Sequence, residues 1–232
     1  TSRTKAIVVI NPNNPTGAVY SKEVLEGIVE IARKHQLMIF ADEIYDRLIM
    51  DGYQHISIAS LAPDLPCVTF SGLSKSHMIC GYRVGWMVLS GNKRCMRDFI
   101  YGVNMLSNMR LCSNVPAQSI VQTALGGYQS VNEYIRPGGR VYEALNAIDG
   151  ITAVKPKAAF YIFPKMDVKK FNITDDEQFA LDLLHQKKIL ITRGGGFNWG
   201  EPDHFRIVYL PRMEVLRESM EDLADFFAHY RQ

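Results

Sequence analysis

Ala6-Ile-Val-Val-Ile10, followed by Asn11-Pro-Asn-Asn14-Pro-Thr-Gly17, is the stretch from which the fold class of this 232-residue chain can be inferred. Its first five residues are all apolar and mostly β-branched, which is typical of a strand buried on both faces of a sheet. The Pro, Asn and Gly residues that follow predict a tight turn. Leu37-Met-Ile-Phe-Ala41 and Val68-Thr-Phe70 repeat the apolar pattern, and Glu23 to His35 has helical spacing, capped by Ser21. Buried strands that alternate with helices predict an α/β sheet between helices.

Three polar residues come directly after these predicted strands. Asn14 follows the first strand, Asp42 ends the second, and Lys75 lies shortly after the third. In α/β sheets, ligands bind at the carboxyl ends of the strands, where loops and helix N-termini converge. The sequence therefore predicts one site that contains these three residues.

The loop from Ser71 to Trp86 contains Lys75 and Arg83, eight residues apart and among Ser and Gly residues. A lysine amine condenses with an aldehyde, and the planar guanidinium binds a phosphate with two hydrogen bonds. The pair therefore suits a cofactor that carries both groups. Taken alone, however, such a pair is more typical of an ordinary basic surface loop than of a cofactor site.

Three polar positions, Asn14, Asp42 and Arg206, have both a functional and a structural interpretation. Prolines stiffen the turn around Asn14, which either positions its amide as a donor or only forms a turn. Asp42 either pairs with a protonated ring nitrogen or caps a helix or loop, and Tyr45 would share its pocket. Arg206 lies in the apolar run Phe205–Leu210, where it either forms a buried ion pair or binds a carboxylate.

The pattern changes in the second half of the chain. Residues 98–146 are predicted to be mainly helical, with breaks near Asn114-Val-Pro116 and at Arg136-Pro-Gly-Gly139. From Ile151 onward the chain is predicted to be α+β. The predicted strands are Ala159–Phe163, Ile189–Thr192 and Phe205–Leu210, before a final amphipathic helix from Met213 to Phe227. We predict one domain over residues 1–135 and a second over 136–232.

The composition excludes several classes of protein. The net charge of +2 and the absence of a polybasic stretch do not favour nucleic acid as a partner. No apolar run approaches the ~18 residues of a transmembrane helix. The cysteines and histidines show no metal-ligand spacing, and four cysteines in a chain of this size predict reduced thiols in the cytoplasm.

Taken together, the motifs resemble those of the fold-type I, class I/II aminotransferases, which depend on pyridoxal 5'-phosphate. The matching motifs occur in the family's order across nearly the whole chain: Asn11–Gly17, Asp42-Glu-Ile-Tyr45, Ser74-Lys75 with Tyr82-Arg83-Val-Gly-Trp86, and Phe205-Arg-Ile207. The resemblance implies part of a large domain with a mixed, mostly parallel sheet. It also implies a small α+β carboxyl-terminal domain.

The resemblance also implies a role for each matching residue. Lys75 would bind the cofactor aldehyde and move the proton, and Asp42 would pair with the pyridine nitrogen. Tyr45 and Asn14 would donate to the phenolic oxygen of the ring. Arg83, with Ser74, would bind the phosphate, while Arg206, with Asn14, would bind the substrate α-carboxylate.

Within the family, three stretches resemble the bacterial glutamate–pyruvate (alanine) group: Met109–Gln118, Thr123–Gln129 and Phe197–Arg206. The resemblance implies a cytoplasmic homodimer that interconverts L-alanine and 2-oxoglutarate with pyruvate and L-glutamate. Two alternatives are a different reaction on the same cofactor, such as C–S lysis or decarboxylation, and a non-catalytic effector domain of a transcriptional regulator.

Three features depart from the family pattern. Gly72 stands where many members carry a phosphate-binding serine, so Ser71 or Ser74 replaces that contact or it is lost. Arg140–Asp149 is shorter than the interdomain helix of the family, which implies a deletion or residues outside this sequence. The amino-terminal portion of the family, which supplies further cofactor contacts, is missing, so we expect the site to be incomplete in this chain alone.

Overall fold

The computed structural model describes residues 1–127 and 137–232, and these form two compact units. Within the described residues, the first unit contains 1–12 and 19–127, and the second contains 13–18 and 137–232. Segment 13–18 therefore belongs to the second unit, although it follows the first strand in sequence. The predicted boundary at 135/136 and the predicted break at Arg136 lie outside the described residues, so the domain boundary stays a prediction.

The first unit contains a four-stranded sheet with the order β1-β2-β3-β4. The strands are β1 (Ala6–Ile10), β2 (Met38–Asp42), β3 (Cys67–Gly72) and β4 (Gly85–Ser90). The helices are α1 (Lys22–Lys34), α2 (Ile58–Leu61), α3 (Leu73–Ser76), α4 (Arg97–Met109), α5 (Val115–Ser119) and α6 (Val121–Gly126). The first three strands are parallel and β4 is antiparallel to β3. The predicted α/β fold with a mixed, mostly parallel sheet is thus confirmed.

Helix α1 covers one face of this sheet. The Ser21 side chain accepts a hydrogen bond from the Val24 N–H, as the sequence predicts for an N-cap. Leu25 and Val29 are buried on the inner face of the helix and pack against Ile39 of β2. Each fully buried side chain of this type contributes about 1.5–3 kcal/mol to folding, so this layer supplies much of the unit's core.

The opposite face of the sheet is less covered. Val8 is 69% exposed, whereas its neighbour Val9, on the α1 face, is 4% exposed. Phe40 and Phe70 stack on each other with ring centroids 6.2 Å apart, and Phe99 of α4 contacts the Phe40 ring edge-on. Phe70 nevertheless remains 37% exposed, so this face keeps apolar surface that mostly parallel sheets normally bury.

The second unit is α+β, as expected. Its helices are α7 (Gly138–Asn146), α8 (Val168–Phe171), α9 (Asp176–Lys187) and α10 (Met213–His229). Its strands are β5 (Ile151–Thr152), β6 (Tyr161–Ile162), β7 (Lys165–Met166), β8 (Thr192–Arg193) and β9 (Phe205–Val208). Strands β5 and β7 pair, and β6-β9-β8 form an antiparallel sheet. Buried aromatic rings, including Phe179, Phe205 and Phe227, pack against one another in its core.

Three predicted strands are too long, and the one predicted over Phe205–Leu210 ends at Val208. Of Ile189–Thr192, only Thr192 belongs to a strand, because β8 pairs with β9 over two residues and Leu190 is 80% exposed. The predicted strand Ala159–Phe163 is reduced to Tyr161–Ile162. Ala159 adopts a left-handed backbone with φ of 60°, which interrupts the extended conformation.

None of the helices built by the described residues is long and apolar enough to cross a bilayer.

Candidate active site

Strand register brings Asp42 and the lysine loop to one edge of the first unit's sheet. Ile10, Asp42 and Phe70 are aligned across β1, β2 and β3. Because the three strands are parallel, the residues that follow them leave the sheet at this same edge. The structure therefore brings Asp42 together with the segment that contains Lys75. Asn14 belongs to the second unit, and its place in a common site stays a prediction.

Asp42 shapes the turn that follows β2. Its Oδ1 atom accepts the Ile44 N–H at 3.1 Å, the hydrogen bond of an Asx turn. The helix-cap interpretation is wrong, because α2 begins only at Ile58. The half-buried carboxylate has a second oxygen, which is suited to a ring N–H.

Of the residues that follow Asp42, Glu43 supports the fold, whereas Tyr45 is a candidate for the site. Glu43 is buried, lies 3.1 Å from His55 Nε2 and accepts the Ile58 N–H at 3.2 Å, so it serves the fold. Tyr45 is 4% exposed and lies in the turn after the strand. Its predicted hydroxyl contact with a cofactor stays a prediction.

Lys75 lies in α3, a single helical turn between β3 and β4. The Gly72–Gly85 pair closes the base of this loop, and the Leu73 N–H donates to the Val84 carbonyl at 3.2 Å. Lys75 and Ser74 are both half-buried. Helix formation over four residues is unfavourable in isolation, so packing around the turn has to hold the lysine in place.

Arg83 ends a 3₁₀ turn, Cys80–Tyr82, with a left-handed backbone of φ 56°. Such a conformation costs a non-glycine residue free energy and is found mainly where the surroundings impose it. Its Nη1 atom donates to the Cys80 carbonyl at 2.7 Å, which directs an otherwise exposed guanidinium. The arrangement is compatible with the predicted phosphate contact.

The turn around Asn14 is rigid. The Asn13 N–H donates to the Ala18 carbonyl, and the Gly17 N–H to the Asn13 carbonyl, each at 2.9 Å. Gly17 has φ of 68°, and a Cβ atom there would lie 2.6 Å from Pro156 Cβ. Its carbonyl accepts the Lys157 and Ala158 N–H groups at 2.8 and 3.0 Å. Gly17 therefore fixes the turn, and with it Asn14, within the second unit.

Arg206 is held by polar and aromatic groups instead of an acid. Its Nη1 donates to Asn14 Oδ1 at 2.8 Å and its Nη2 to Thr192 Oγ1 at 3.2 Å. The guanidinium carbon lies 4.4 Å from the ring centroid of Tyr161 and 4.9 Å from that of Phe197. Among the described residues no carboxylate pairs with it, so this part of the chain does not support the interpretation of Arg206 as part of a buried ion pair.

The Nε atom of Arg206 is buried and has no hydrogen-bond partner among residues 1–127 and 137–232. A buried donor left unpaired costs about 1–3 kcal/mol, more when it is charged. A planar anion with two oxygens, such as a carboxylate, would satisfy this donor and the positive charge together. The geometry therefore favours a carboxylate site at Arg206.

Sequence analysis missed the groups that hold Arg206, namely Tyr161, Thr192 and Phe197. Thr192 lies directly opposite Arg206 in the β8–β9 pairing. Tyr161 is paired with Val208 on the other side of β9. The pairing of these short strands would have indicated both contacts, but their residues are widely separated along the chain.

Comparison with known proteins supports the family on independent grounds. The profile described as aminotransferase class I and II matches residues 1–223. The chain belongs to this family. Glutamate-pyruvate aminotransferase AlaA of Haemophilus influenzae is 58% identical over 238 residues, with 100% of this chain and 59% of the relative covered. The alanine aminotransferase of Mycobacterium tuberculosis is 53% identical and covered over 56% of its length.

Solved structures agree with the fold. An aminotransferase from Escherichia coli superposes with a TM-score of 0.98 at 54% identity, covering 100% of this chain and 59% of that structure. Alanine aminotransferase from Pyrococcus furiosus gives 0.92 at 40% identity, with 98% and 58% covered. This aminotransferase chain thus spans somewhat less than three fifths of the length of the relatives it matches.

Class I and II aminotransferases depend on pyridoxal phosphate, and the residues at the sheet edge fit that group. Lys75 provides an amine for the aldehyde, and Asp42 provides a carboxylate for the ring nitrogen. Arg83 provides a guanidinium fork for the phosphate. No group of three or more His, Cys, Asp or Glu residues in the described part of the chain could hold a metal ion.

Proposed function

We propose that this chain is part of an enzyme that transfers an amino group between L-alanine and 2-oxoglutarate. The products are pyruvate and L-glutamate. The carboxylate site at Arg206 carries this proposal, because both substrate pairs present an α-carboxylate and Arg206 has an unpaired buried donor. The names of the relatives that are 53–58% identical support the choice of substrates.

The sheet-edge residues would hold the cofactor. Bound pyridoxal phosphate supplies an aldehyde that captures amines and a ring that accepts the electron pair released at the substrate α-carbon. Arg83 and Ser74 bind the phosphate. Asp42 keeps the ring nitrogen protonated through a charge-assisted hydrogen bond, while Tyr45 and Asn14 donate to the ring's phenolic oxygen.

Two residues act on the substrate itself. Arg206 binds the α-carboxylate through its planar fork, and Asn14 fixes the orientation of that fork by accepting its Nη1 hydrogen. Lys75 Nζ would act as the general base that removes the substrate α-proton, and the ammonium so formed would act as the general acid of the next proton transfer. Precise placement of both groups is required, because proton transfer needs donor and acceptor within hydrogen-bond distance.

We also propose that the enzyme is a cytoplasmic homodimer acting on small molecules, without nucleic acid or a membrane as partner. The four cysteines are free thiols, as expected in a reducing compartment. Helix α4 exposes Tyr101, Leu106 and Met109 by 69%, 66% and 74%, an apolar surface of the kind that subunit contacts cover.

The test is incubation of the full-length protein with pyridoxal phosphate, L-alanine and 2-oxoglutarate. We expect L-glutamate and pyruvate to form in equal amounts, and Lys75→Ala to abolish both the products and the cofactor's lysine-dependent visible absorbance. Separate incubations test the alternatives: pyruvate, ammonia and hydrogen sulfide formed from L-cysteine would instead identify C–S lyase chemistry, and carbon dioxide released from L-alanine would identify decarboxylase chemistry. Cofactor binding without any turnover would favour the regulatory effector alternative.

A further inference from the structure

The loop that contains Lys75 is hydrogen-bonded to α6, a helix that plays no part in the chemistry proposed above. His77, two residues after the lysine, is 7% exposed, and its Nε2 atom lies 2.8 Å from the Ala124 carbonyl oxygen. We propose that His77 is a positioning residue for Lys75, and that α6 fixes the lysine turn through this hydrogen bond. The proposal rests on the function proposed for Lys75.

The partners of His77 define its tautomer. A carbonyl oxygen only accepts hydrogen bonds, so Nε2 has to carry the hydrogen that Ala124 receives. In the neutral ring, Nδ1 is then an acceptor, and the Ser76 hydroxyl lies 2.8 Å from it, with one hydrogen that goes either to Nδ1 or to the Gly72 carbonyl oxygen. Both ring nitrogens therefore lie within hydrogen-bond distance of groups inside the protein. This is the pattern of a histidine whose ring orientation is fixed by its surroundings.

Ser76 extends the connection to the other side of the lysine. Its hydroxyl oxygen lies 2.9 Å from the Gly72 carbonyl as well as near His77 Nδ1, and Ser76 is 5% exposed. Gly72 is the last residue of β3. Ala124, His77, Ser76 and Gly72 are thus each within hydrogen-bond distance of the next, from α6 to the end of the strand. Lys75 lies between Gly72 and Ser76 in the sequence.

Apolar packing supports the same arrangement. Leu73 is fully buried and packs in a cluster with Val84 and Ala117, the latter from α5. Ile120, Val121 and Ala124 complete the cover over the turn. The lysine turn therefore packs against α5 and α6, and this packing determines where the side chains of α3 lie.

A second hydrogen bond joins the other end of the loop to the same segment. Asn114 Nδ2 donates to the Tyr82 carbonyl at 3.2 Å, next to Arg83, while its Oδ1 accepts the Ala117 N–H that starts α5. Asn114 and Ala124 thus form hydrogen bonds to Tyr82, next to Arg83, and to His77, two residues after Lys75. Asn114 and Ala124 lie in two of the stretches singled out above only for their subfamily resemblance, Met109–Gln118 and Thr123–Gln129.

The test compares three variants of the full-length protein with pyridoxal phosphate. His77→Phe keeps a ring but removes both hydrogen bonds, and His77→Gln can still donate to Ala124. Val29→Ala, in the α1 core, lowers stability without touching the loop. The measurements are the pH dependence of the cofactor's visible absorbance, the rate of cofactor release, kcat and the KM for L-alanine. Acetic anhydride labelling of Lys75, read by peptide mass spectrometry without cofactor, adds a measurement independent of turnover.

For His77→Phe we expect cofactor release about tenfold faster and kcat about tenfold lower, because the loss of one buried hydrogen bond has an effect of this size. The KM for L-alanine should stay within about twofold of the wild-type value. We also expect a shifted absorbance titration and an altered labelling rate at Lys75 but not at Lys22. His77→Gln should recover most of each effect. A His77→Phe protein that behaves like Val29→Ala overturns the proposal, as does a His77→Gln protein no better than His77→Phe.

Failure of the proposed function would be distinct from failure of this inference. Absence of the visible absorbance in the unmodified protein would contradict the role of Lys75 in holding a cofactor. The labelling rate would then decide the positioning role of His77 by itself, because it needs no cofactor.

Discussion

A Cβ atom on Gly72 would lie 2.7 Å from the carbonyl oxygen of Val84, so the residue that opens the lysine loop has no room for a side chain. The Cα atom of Gly85 is nearly as close, at 2.9 Å. Both contacts are with main-chain atoms of the neighbouring strand, which cannot turn aside as a flexible side chain can. Gly72 itself is extended, with φ of 174°, so the limit is steric. A serine at this position would therefore have to displace the main chain of β4.

We therefore expect Gly72→Ser to lower the free energy of unfolding by about 1–3 kcal/mol, the usual cost of forcing atoms into a packed site. Urea denaturation measures it. Gly81→Ser is the matched control, because no atom lies within 4 Å of a Cβ placed at Gly81 in the same loop. Equal stability of the two variants would show that β4 moves aside easily.

A second prediction concerns the serine that replaces the missing contact. If Ser74 binds the phosphate, Ser74→Ala should weaken binding of pyridoxal phosphate by about three- to tenfold, the effect of one hydrogen bond. Binding of pyridoxal, which lacks the phosphate, should be unchanged. Ser71→Ala, measured by the same titration, tests the other candidate, and an effect there alone would transfer the role to Ser71.

Asp42→Asn separates the chemistry of Asp42 from its structural role. Asparagine can still accept the Ile44 N–H through its side-chain oxygen, so the thermal midpoint should change little. The amide cannot hold a positive charge on the ring nitrogen, so kcat should fall by about a hundredfold or more. Wild-type kcat in this variant would exclude Asp42 from the reaction.

For Arg206 we expect Arg206→Lys to raise the KM for both L-alanine and 2-oxoglutarate by about 10–100-fold, because lysine lacks the two-pronged fork. Phe197→Leu, which removes one of the two rings against the guanidinium, should raise KM by a smaller factor of about three. Arg217→Lys, on an exposed face of α10, serves as the control. Steady-state kinetics at fixed cofactor saturation distinguishes these effects from changes in kcat.

Asp46 and Asp64 should affect stability with opposite dependence on pH. Burial raises the pKa of Asp46, whose Oδ1 has no hydrogen-bond partner, whereas a hydrogen bond from Arg33 lowers the pKa of Asp64 to about 2. The ionised Asp46 therefore opposes folding above its raised pKa, so Asp46→Asn should stabilise the protein at neutral pH. That gain should vanish as the pH falls toward the ordinary carboxyl value near ~4.

Asp64→Asn should do the reverse. The ion pair stabilises the fold above the ordinary carboxyl pKa, and this contribution is lost as the pH falls from about 4 to about 2. The substitution should therefore lower stability at neutral pH, and the difference from wild type should disappear in strong acid. Urea titrations at a series of pH values measure both variants, and parallel curves for the two would contradict the assigned causes.

The sequence alone was sufficient to predict strands and helices wherever the apolar pattern agrees with the local backbone structure. The strands that begin at Ala6 and Cys67, the helix capped by Ser21 and the final helix were predicted from apolar spacing and capping residues. The motif residues were identified because each follows a strand. Prediction failed for Ile191, whose apolar run predicted a strand, because a strand needs a partner and β9 offers one for only two residues there.

The parts of the site that could not be predicted depend on contacts between distant segments. The ring of Tyr161 faces Arg206 only because β6 pairs with β9. The space limit at Gly72 comes from a main-chain carbonyl twelve residues later, and His77 matters only because α6 lies above the loop. Local residue patterns do not record such proximity.

The aromatic rings on Arg206 have an electrostatic consequence. An arginine that is already neutralised by a carboxylate has to exchange one anion for another when a substrate arrives, and such an exchange gains little. Among the described residues, Arg206 is held by two ring faces, an amide and a hydroxyl, none of which cancels its charge. The guanidinium thus keeps its full positive charge until a ligand binds, and a carboxylate that binds there neutralises this charge.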